Sequence, residues 1–189
     1  QKLIDQVERK PNDVAFKFCV NQKSLTYRET KQRVDEFAQN LLKLGFKRGD
    51  RLAIMLPNTP EFVISTLAAA SIGVISVLMN PQYQNFEVEY MLKKTESRGI
   101  VIMDNFKNLN HYDILTKICP EILNSNGEIT SKKLPNLKNI IITNNNLNDK
   151  KAKNYKGTLD FGNLQIFNSI NQELPLVDVN DNFVLLFTV

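Results

Sequence analysis

The apolar and polar positions of the chain fall into short blocks with changing period. Val14 to Val20, VAFKFCV, alternates apolar with polar, the period of a strand with one face buried. Asn21 to Ser24 reads as a turn, and Leu25 begins the return. Thr26 then opens a helix. In Thr26-Tyr27-Arg28-Glu29 the threonine hydroxyl takes a free helix N–H and the glutamate three residues on reaches back, a capping box. Val34, Phe37, Leu41 and Leu44 recur at three- and four-residue spacing, one apolar helix face, and Gly45 stops the helix as a left-handed cap.

From there the blocks alternate. Arg51 to Leu56, RLAIML, is a nearly all-apolar strand broken by Pro57-Asn58. Thr59 can cap the next helix, with Pro60 at its first position, where no N–H is missed. That helix runs to Ile72 and ends at Gly73; its Ala68-Ala69-Ala70 segment suits close packing on a sheet. Val74 to Met79 is a buried strand ended by Asn80-Pro81. Glu87 to Thr95 is a helix with Val88, Met91 and Leu92 on one side. Gly99 to Met103 is a strand, Tyr112 to Ile118 a short helix stopped by Pro120, and Asn139 to Ile142 a strand again. Continuous apolar strands joined by amphipathic helices predict an α/β fold: a doubly wound, mostly parallel sheet flanked by helices, with right-handed crossovers. Asn124 to Pro135 is polar and turn-rich, and Asn144 to Lys156 reads as a long exposed Asn- and Lys-rich loop. The organisation expected is an α/β subdomain over 1–143, a loop over 144–163, and a continuation of the same domain over 164–189 that ends in the strand Phe183 to Phe187, DNFVLLFTV in context.

Composition narrows the function. The 189 residues are 42% hydrophobic and 23% charged, enough apolar material for a core. The net charge of +4 is mild, and the lysine pairs Lys93-Lys94, Lys132-Lys133 and Lys150-Lys151 carry no interleaved aromatics. Nucleic acid is therefore not an expected partner. Cys19 and Cys119 form no CxxC pair and there is one histidine, which excludes an ordinary protein zinc site. Both cysteines read as small buried apolar residues rather than a disulfide. The longest apolar stretch, Phe62 to Met79, is interrupted by Ser65, Thr66, Ser71, Gly73 and Ser76, so it reads as helix then strand and no transmembrane segment is expected. Gln1 is not an initiator methionine, and no signal or transit peptide is visible.

Chemistry is sparse. No two of the seven glycines have dinucleotide-loop spacing and there is no Walker loop. His111, in LNHYDIL, is expected at the surface or at a helix start; Asp113 falls on a different helix face, so the two do not form a catalytic pair. Cys19 follows Phe16 and Phe18 in a strand and is expected to pack. Asp50 reads as a loop carboxylate that bonds its own backbone. Asp104 ends a strand at the edge where α/β proteins bind ligands, a weak candidate against a simple turn.

Four segments add a family. LTYRETKQRVDEFAQNLLKLGFKRGDRLAIMLPNTPEF and AAASIGVISVLMNPQYQNFEVEYMLKKTESRGIVI resemble the opening blocks of the adenylate-forming (AMP-binding) enzymes, with the Asn80-Pro81 block the more specific. FKNLNHYDILTKICPEI and SKKLPNLKNIIIT are similar to the mitochondrial medium-chain fatty acyl-CoA synthetases, and VLLFT matches the strand before the family's phosphate loop. The resemblance implies an N-terminal subdomain of that fold. It implies ATP, Mg²⁺ and CoA for a full-length member, none of them bound by this chain alone, and a mitochondrial location, with a cytoplasmic one as the alternative. Thr188 occupies the first position of an incomplete phosphate loop, and no other binding, catalytic or metal residue carries over. The family reaction joins a carboxylate to the α-phosphorus of ATP, releasing pyrophosphate, and then to the CoA thiol, releasing AMP. Residues 1–189 alone are expected to be inactive. Val189 stands where a serine is expected, which points to a true terminus or a reading-frame change after Thr188. Two roles follow: a truncated synthetase subdomain completed by the missing C-terminal part, or a non-catalytic accessory subunit whose exposed sheet edge a protein partner covers. A third, a small-molecule binding module, lacks a complete pocket signature.

Overall fold

A computed structural model describes residues 2–19, 22–125, 128–143, 155–164, 174–175, 177–178 and 180–186. The predicted loop over Asn144 to Lys156 lies outside these up to residue 154, and so do Phe187, Thr188 and Val189.

The chain opens with helix α1 (Lys2–Arg9), which packs on the first long helix. Strands β1 (Val14–Phe18) and β2 (Lys23–Thr26) form an antiparallel pair. Helix α2 (Tyr27–Lys43) then starts at the capping box: the Thr26 hydroxyl accepts from the Glu29 N–H at 3.2 Å, and the Glu29 carboxylate accepts from the Thr26 N–H at 2.9 Å. Its buried side carries Val34, Phe37, Ala38 and Leu41. Gly45, at φ +80°, reverses the chain after it. Strand β3 (Arg51–Met55), helix α3 (Pro60–Ser71) and strand β4 (Ile75–Leu78) follow, with Gly73 at φ +72° in the turn between helix and strand. Helix α4 (Asn85–Lys94) starts earlier than Glu87 because Glu87 reaches back to the Gln84 N–H at 3.1 Å. Strand β5 (Gly99–Met103) leads into a small hairpin, β6 (Asn105–Phe106) and β7 (Leu109–Asn110), and then α5 (His111–Ile118). A 3₁₀ turn over Pro120–Asn124, strand β8 (Asn139–Thr143), strand β9 (Leu159–Asp160), the short helix α6 (Phe161–Leu164) and strand β10 (Val184–Leu185) complete the described chain.

Six strands make one sheet in the order β10-β4-β3-β5-β8-β9, every pair parallel. From β3 the chain steps outward to β4, crosses back to β5 and continues to β8 and β9. That is the doubly wound α/β arrangement, with β10 added outside β4. Strand side chains alternate between two cores. Leu52, Ile54, Leu56, Val101, Met103 and Ile141 face α2, α3 and α6; Ala53, Met55, Val77, Ile100, Ile102, Ile140 and Ile142 face α4 and α5. Burial on both faces is why β3, β5 and β8 read as continuous apolar runs rather than alternating ones.

Two cysteine expectations separate. Cys119 is buried, as expected, and burial raises its thiol above the ordinary value. Cys19 is exposed instead of packed. Phe18 is buried and Phe16 packs on the same core, so the two-residue period turns Lys17 and Cys19 outward. The last strand also differs from a buried run: Phe183 is 46% and Leu186 72% exposed. β10 has one sheet neighbour among the described residues, whereas the central strands have two.

Candidate functional site

In an open parallel sheet, ligands bind beyond the carboxyl ends of the strands, where successive connections leave to opposite faces. Here that place lies past β3, β4 and β5. The chain leaves β3 toward α3 on one face and leaves β5 toward α5 on the other. The end of β3 runs through Pro57 and Asn58 to Thr59, the cap position of α3; the Thr59 hydroxyl is buried and makes no hydrogen bond.

The end of β4 is a self-contained turn. The Asn80 side-chain oxygen accepts from the Gln82 N–H at 2.9 Å, and its carbonyl accepts from the Tyr83 N–H at 3.0 Å. The end of β5 brings Asp104 against β8: its N–H donates to the Thr143 carbonyl at 2.9 Å, while its carboxylate accepts from the Asn105 N–H at 2.7 Å. Asp104 is thus a buried turn residue with a polar neighbourhood, including Tyr155 and His111.

His111 joins these two strand ends. It starts α5, as expected, but it is fully buried rather than at the surface. Nε2 lies 2.8 Å from the Pro81 carbonyl, and Nδ1 makes no hydrogen bond. Because a carbonyl only accepts, Nε2 carries the proton. Burial pushes the imidazole below its ordinary pKa; the Pro81 carbonyl, the Asp104 charge and the Met103 carbonyl pull the other way. The sequence held a signal for this: His111, Leu115 and Ile118 follow the three- and four-residue spacing of the apolar face, and all three are buried. Asp113 sits on the exposed side, where its N–H donates to the Asn110 cap at 2.9 Å. The Tyr112 ring lies tilted at 46° against that of Tyr155, centroids 4.7 Å apart, and its hydroxyl donates to the Lys156 carbonyl at 2.9 Å.

Asp50 lies at the opposite end of the sheet. Its carboxylate accepts from the Lys47 N–H at 2.9 Å, as its loop position predicts, and Arg98 Nε stands 3.8 Å away.

The residues that directly follow β3, β4 and β5 are therefore neutral or acidic. Residues 56–59, 79–84 and 104–106, which follow β3, β4 and β5, contain no lysine or arginine. The amides of the β4 turn are spent on Asn80. A triphosphate needs cations, a metal or free loop amides; these residues bring no cation to it, and none is assigned to ATP, Mg²⁺ or CoA. Thr188, the one phosphate-loop position in the sequence, lies outside the described residues. Among the described residues no three His, Cys, Asp or Glu side chains gather into a metal cluster, and no helix is long and apolar enough to cross a membrane.

Comparison with known proteins supplies the rest. The human mitochondrial medium-chain acyl-CoA ligase ACSF2 is 34% identical over 185 residues, which cover 97% of this chain and 29% of that enzyme. A putative acyl-CoA synthetase, YngI, from Bacillus subtilis is 31% identical over 121 residues, 64% of this chain and 22% of the relative. The crystal structure of the anthranilate CoA ligase AuaEII in complex with anthranoyl-AMP superposes with a TM-score of 0.67 at 19% identity, covering 86% of this chain and 26% of that one. The chain thus spans less than a third of the length of these proteins, and the fold it shares with AuaEII is the N-terminal subdomain of an adenylate-forming ligase. The family model for AMP-binding enzymes matches residues 3–189, and the chain belongs to that family.

Proposed function

We propose that this chain is the N-terminal subdomain of an ATP-dependent acyl-CoA ligase that activates a medium-chain fatty acid in the mitochondrion. The observation that carries the reading is the extent of the match to the human medium-chain ligase, 97% of the chain at 34% identity. The likeness runs along the whole length instead of gathering at one motif. The sheet supports it as well. β10 is parallel to β4, so its carboxyl end points to the same edge as the ends of β3, β4 and β5. In this reading the strand hands the chain at Thr188 to a loop that holds the ATP phosphates. ATP with Mg²⁺, and then CoA, are substrates of the complete enzyme. In this reading residues 1–189 form one wall of its site and do not catalyse alone, because the phosphate loop that meets transition-state charge is completed beyond them.

The test is the native polypeptide, purified from its source, with ATP, Mg²⁺, CoA and octanoate. The expected result is a polypeptide about three times 21.7 kDa that forms AMP and pyrophosphate, while purified residues 1–189 give no pyrophosphate exchange above background. A native mass near 21.7 kDa without activity overturns the reading in favour of an accessory subunit. Exchange by residues 1–189 alone overturns the statement that the wall is inert.

A further inference from the structure

We propose a second ligand site at the amino edge of the sheet: a cleft in which Arg98 and Lys138, with Lys43 beside them, take the phosphate group of a small polyol phosphate. The site stands apart from the ligase reading, because it uses the end of the sheet opposite the carboxyl edge.

Register brings the cations together. Gly99 pairs with Asn139 where β5 and β8 begin. Arg98 and Lys138 are each one residue earlier, so they stand side by side at the two strand starts, and the Lys138 N–H donates to the Arg98 carbonyl at 2.7 Å. Between these starts and the end of α2 lies a cleft of about 330 Å³, whose lining includes Lys43, Gly45, Arg98, Glu128, Lys138 and Asn139. Three cations thus meet one carboxylate in the lining. The ion pairs there are long: Lys138 Nζ is 3.7 Å from the exposed Glu128 carboxylate, and Arg98 Nε is 3.8 Å from Asp50 at the margin. Like charges gathered in one cleft repel unless an anion joins them.

A neighbouring arginine shows what is different about Arg98. Arg51, at the start of β3, has its guanidinium used up by the protein. Its Nε donates to the Thr95 carbonyl at 2.7 Å, Nη1 to the Gly49 carbonyl at 3.2 Å, and Nη2 to the Glu96 carbonyl and carboxylate, both at 3.0 Å. Arg98 Nη2 reaches the Leu44 carbonyl only at 3.4 Å, and its buried Nε makes no hydrogen bond. Yet the group is held in place. Its guanidinium carbon sits 5.7 Å from the Phe46 ring centroid, and Gly45 leaves it room, since a Cβ there would stand 2.9 Å from Nη2. A planar fork fixed in position with donors to spare suits the oxygens of a phosphate. Asn139 adds a second demand. It is 6% exposed, and its Oδ1 makes no hydrogen bond. A buried acceptor without a partner calls for a donor, which a hydroxyl on the carbon skeleton beside the phosphate supplies. Capping of the last α2 carbonyls accounts for the Leu44 contact, but not for Nε, Lys138 or Asn139. The cleft beside Lys93 and Lys133 offers no such site, because both lysines are held 2.7 Å from Glu89.

The test is calorimetric titration of the native polypeptide at low salt with glycerol phosphate, inorganic phosphate and glycerol. Arg98→Gln and Lys138→Gln are titrated beside it, with Lys94→Gln, an exposed lysine of α4 outside the cleft, as the control. Glycerol phosphate is expected to bind the wild type and Lys94→Gln alike, and each cleft variant about tenfold more weakly, the loss of one charge-assisted hydrogen bond. Inorganic phosphate should bind the same site less tightly than the ester, and glycerol not at all. Lys138 is half-exposed, so its variant carries the test if Arg98→Gln does not fold. No binding, or an affinity unchanged in the cleft variants, overturns the site and leaves the ligase reading untouched. Equal affinity for inorganic phosphate and the ester overturns the hydroxyl contact to Asn139 and assigns the cleft to free phosphate.

Discussion

His111 shows how one buried side chain couples pH to folding. In the unfolded chain an imidazole titrates near the ordinary value of about 6.5. In the fold burial lowers it. The unfolded state therefore binds more protons below that pH, so acidification favours unfolding. The His111 contribution is fully present above about pH 6.5 and shrinks as pH falls below it. The variant His111→Gln keeps a donor for the Pro81 carbonyl but cannot titrate. Between about pH 5 and about pH 8 its urea midpoint is expected to change less with pH than that of the wild type. Parallel pH profiles for the two proteins would remove His111 as the source. Gly73 makes a second residue-scale case. At φ +72° it holds a conformation that side chains resist, and a Cβ there would stand 2.8 Å from Arg48 Cγ. Gly73→Ala is expected to lower stability by about 1–2 kcal/mol, read from chemical denaturation; an unchanged midpoint would show that the turn relaxes freely.

At the scale of elements, much was legible because each signal was local. The capping box at Thr26 and Glu29 could be read off four residues, and both of its hydrogen bonds form. Thr26→Ala is expected to cost about 1 kcal/mol, measured by thermal or urea unfolding, with a Thr26→Ser control close to wild type. A loss equal in both variants would place the cost in the β-branch rather than the hydroxyl. Gly99 to Met103 was legible for a different reason: burial on both faces leaves an unbroken apolar run. Some short elements left no pattern in the sequence. α1 is eight residues whose place depends on α2, and β6 and β7 are two residues each. His111 starts its helix as read, but its burial was not legible because it depends on the Pro81 turn, 30 residues away in sequence. Cys19 was misread although its signal was local, since the alternation of Phe16 and Phe18 already turned it outward. The candidate site was legible mainly through family resemblance. Its one carried-over residue, Thr188, lies where the described structure stops.

At the scale of the molecule, the sheet order predicts where the fold opens first. β3, β5 and β8 each lie between two parallel neighbours, and helices cover both of their faces. β10 is held by two register pairs to β4 and carries an exposed leucine at its end. The loop before it is tied by the ion pair between Arg48 and Asp181, an exposed contact that adds little. Local opening free energies follow buried contacts and protected backbone bonds. Amide exchange of the 189-residue chain is therefore expected to be slowest at Ile54, Val101, Ile102 and Ile141, and much faster at Val184 and Leu185. In a longer polypeptide whose further residues cover that edge, the β10 amides should slow toward those of β4 while the central strands hardly change. Equal protection of β10 in the short and long chains would mean that nothing covers that edge.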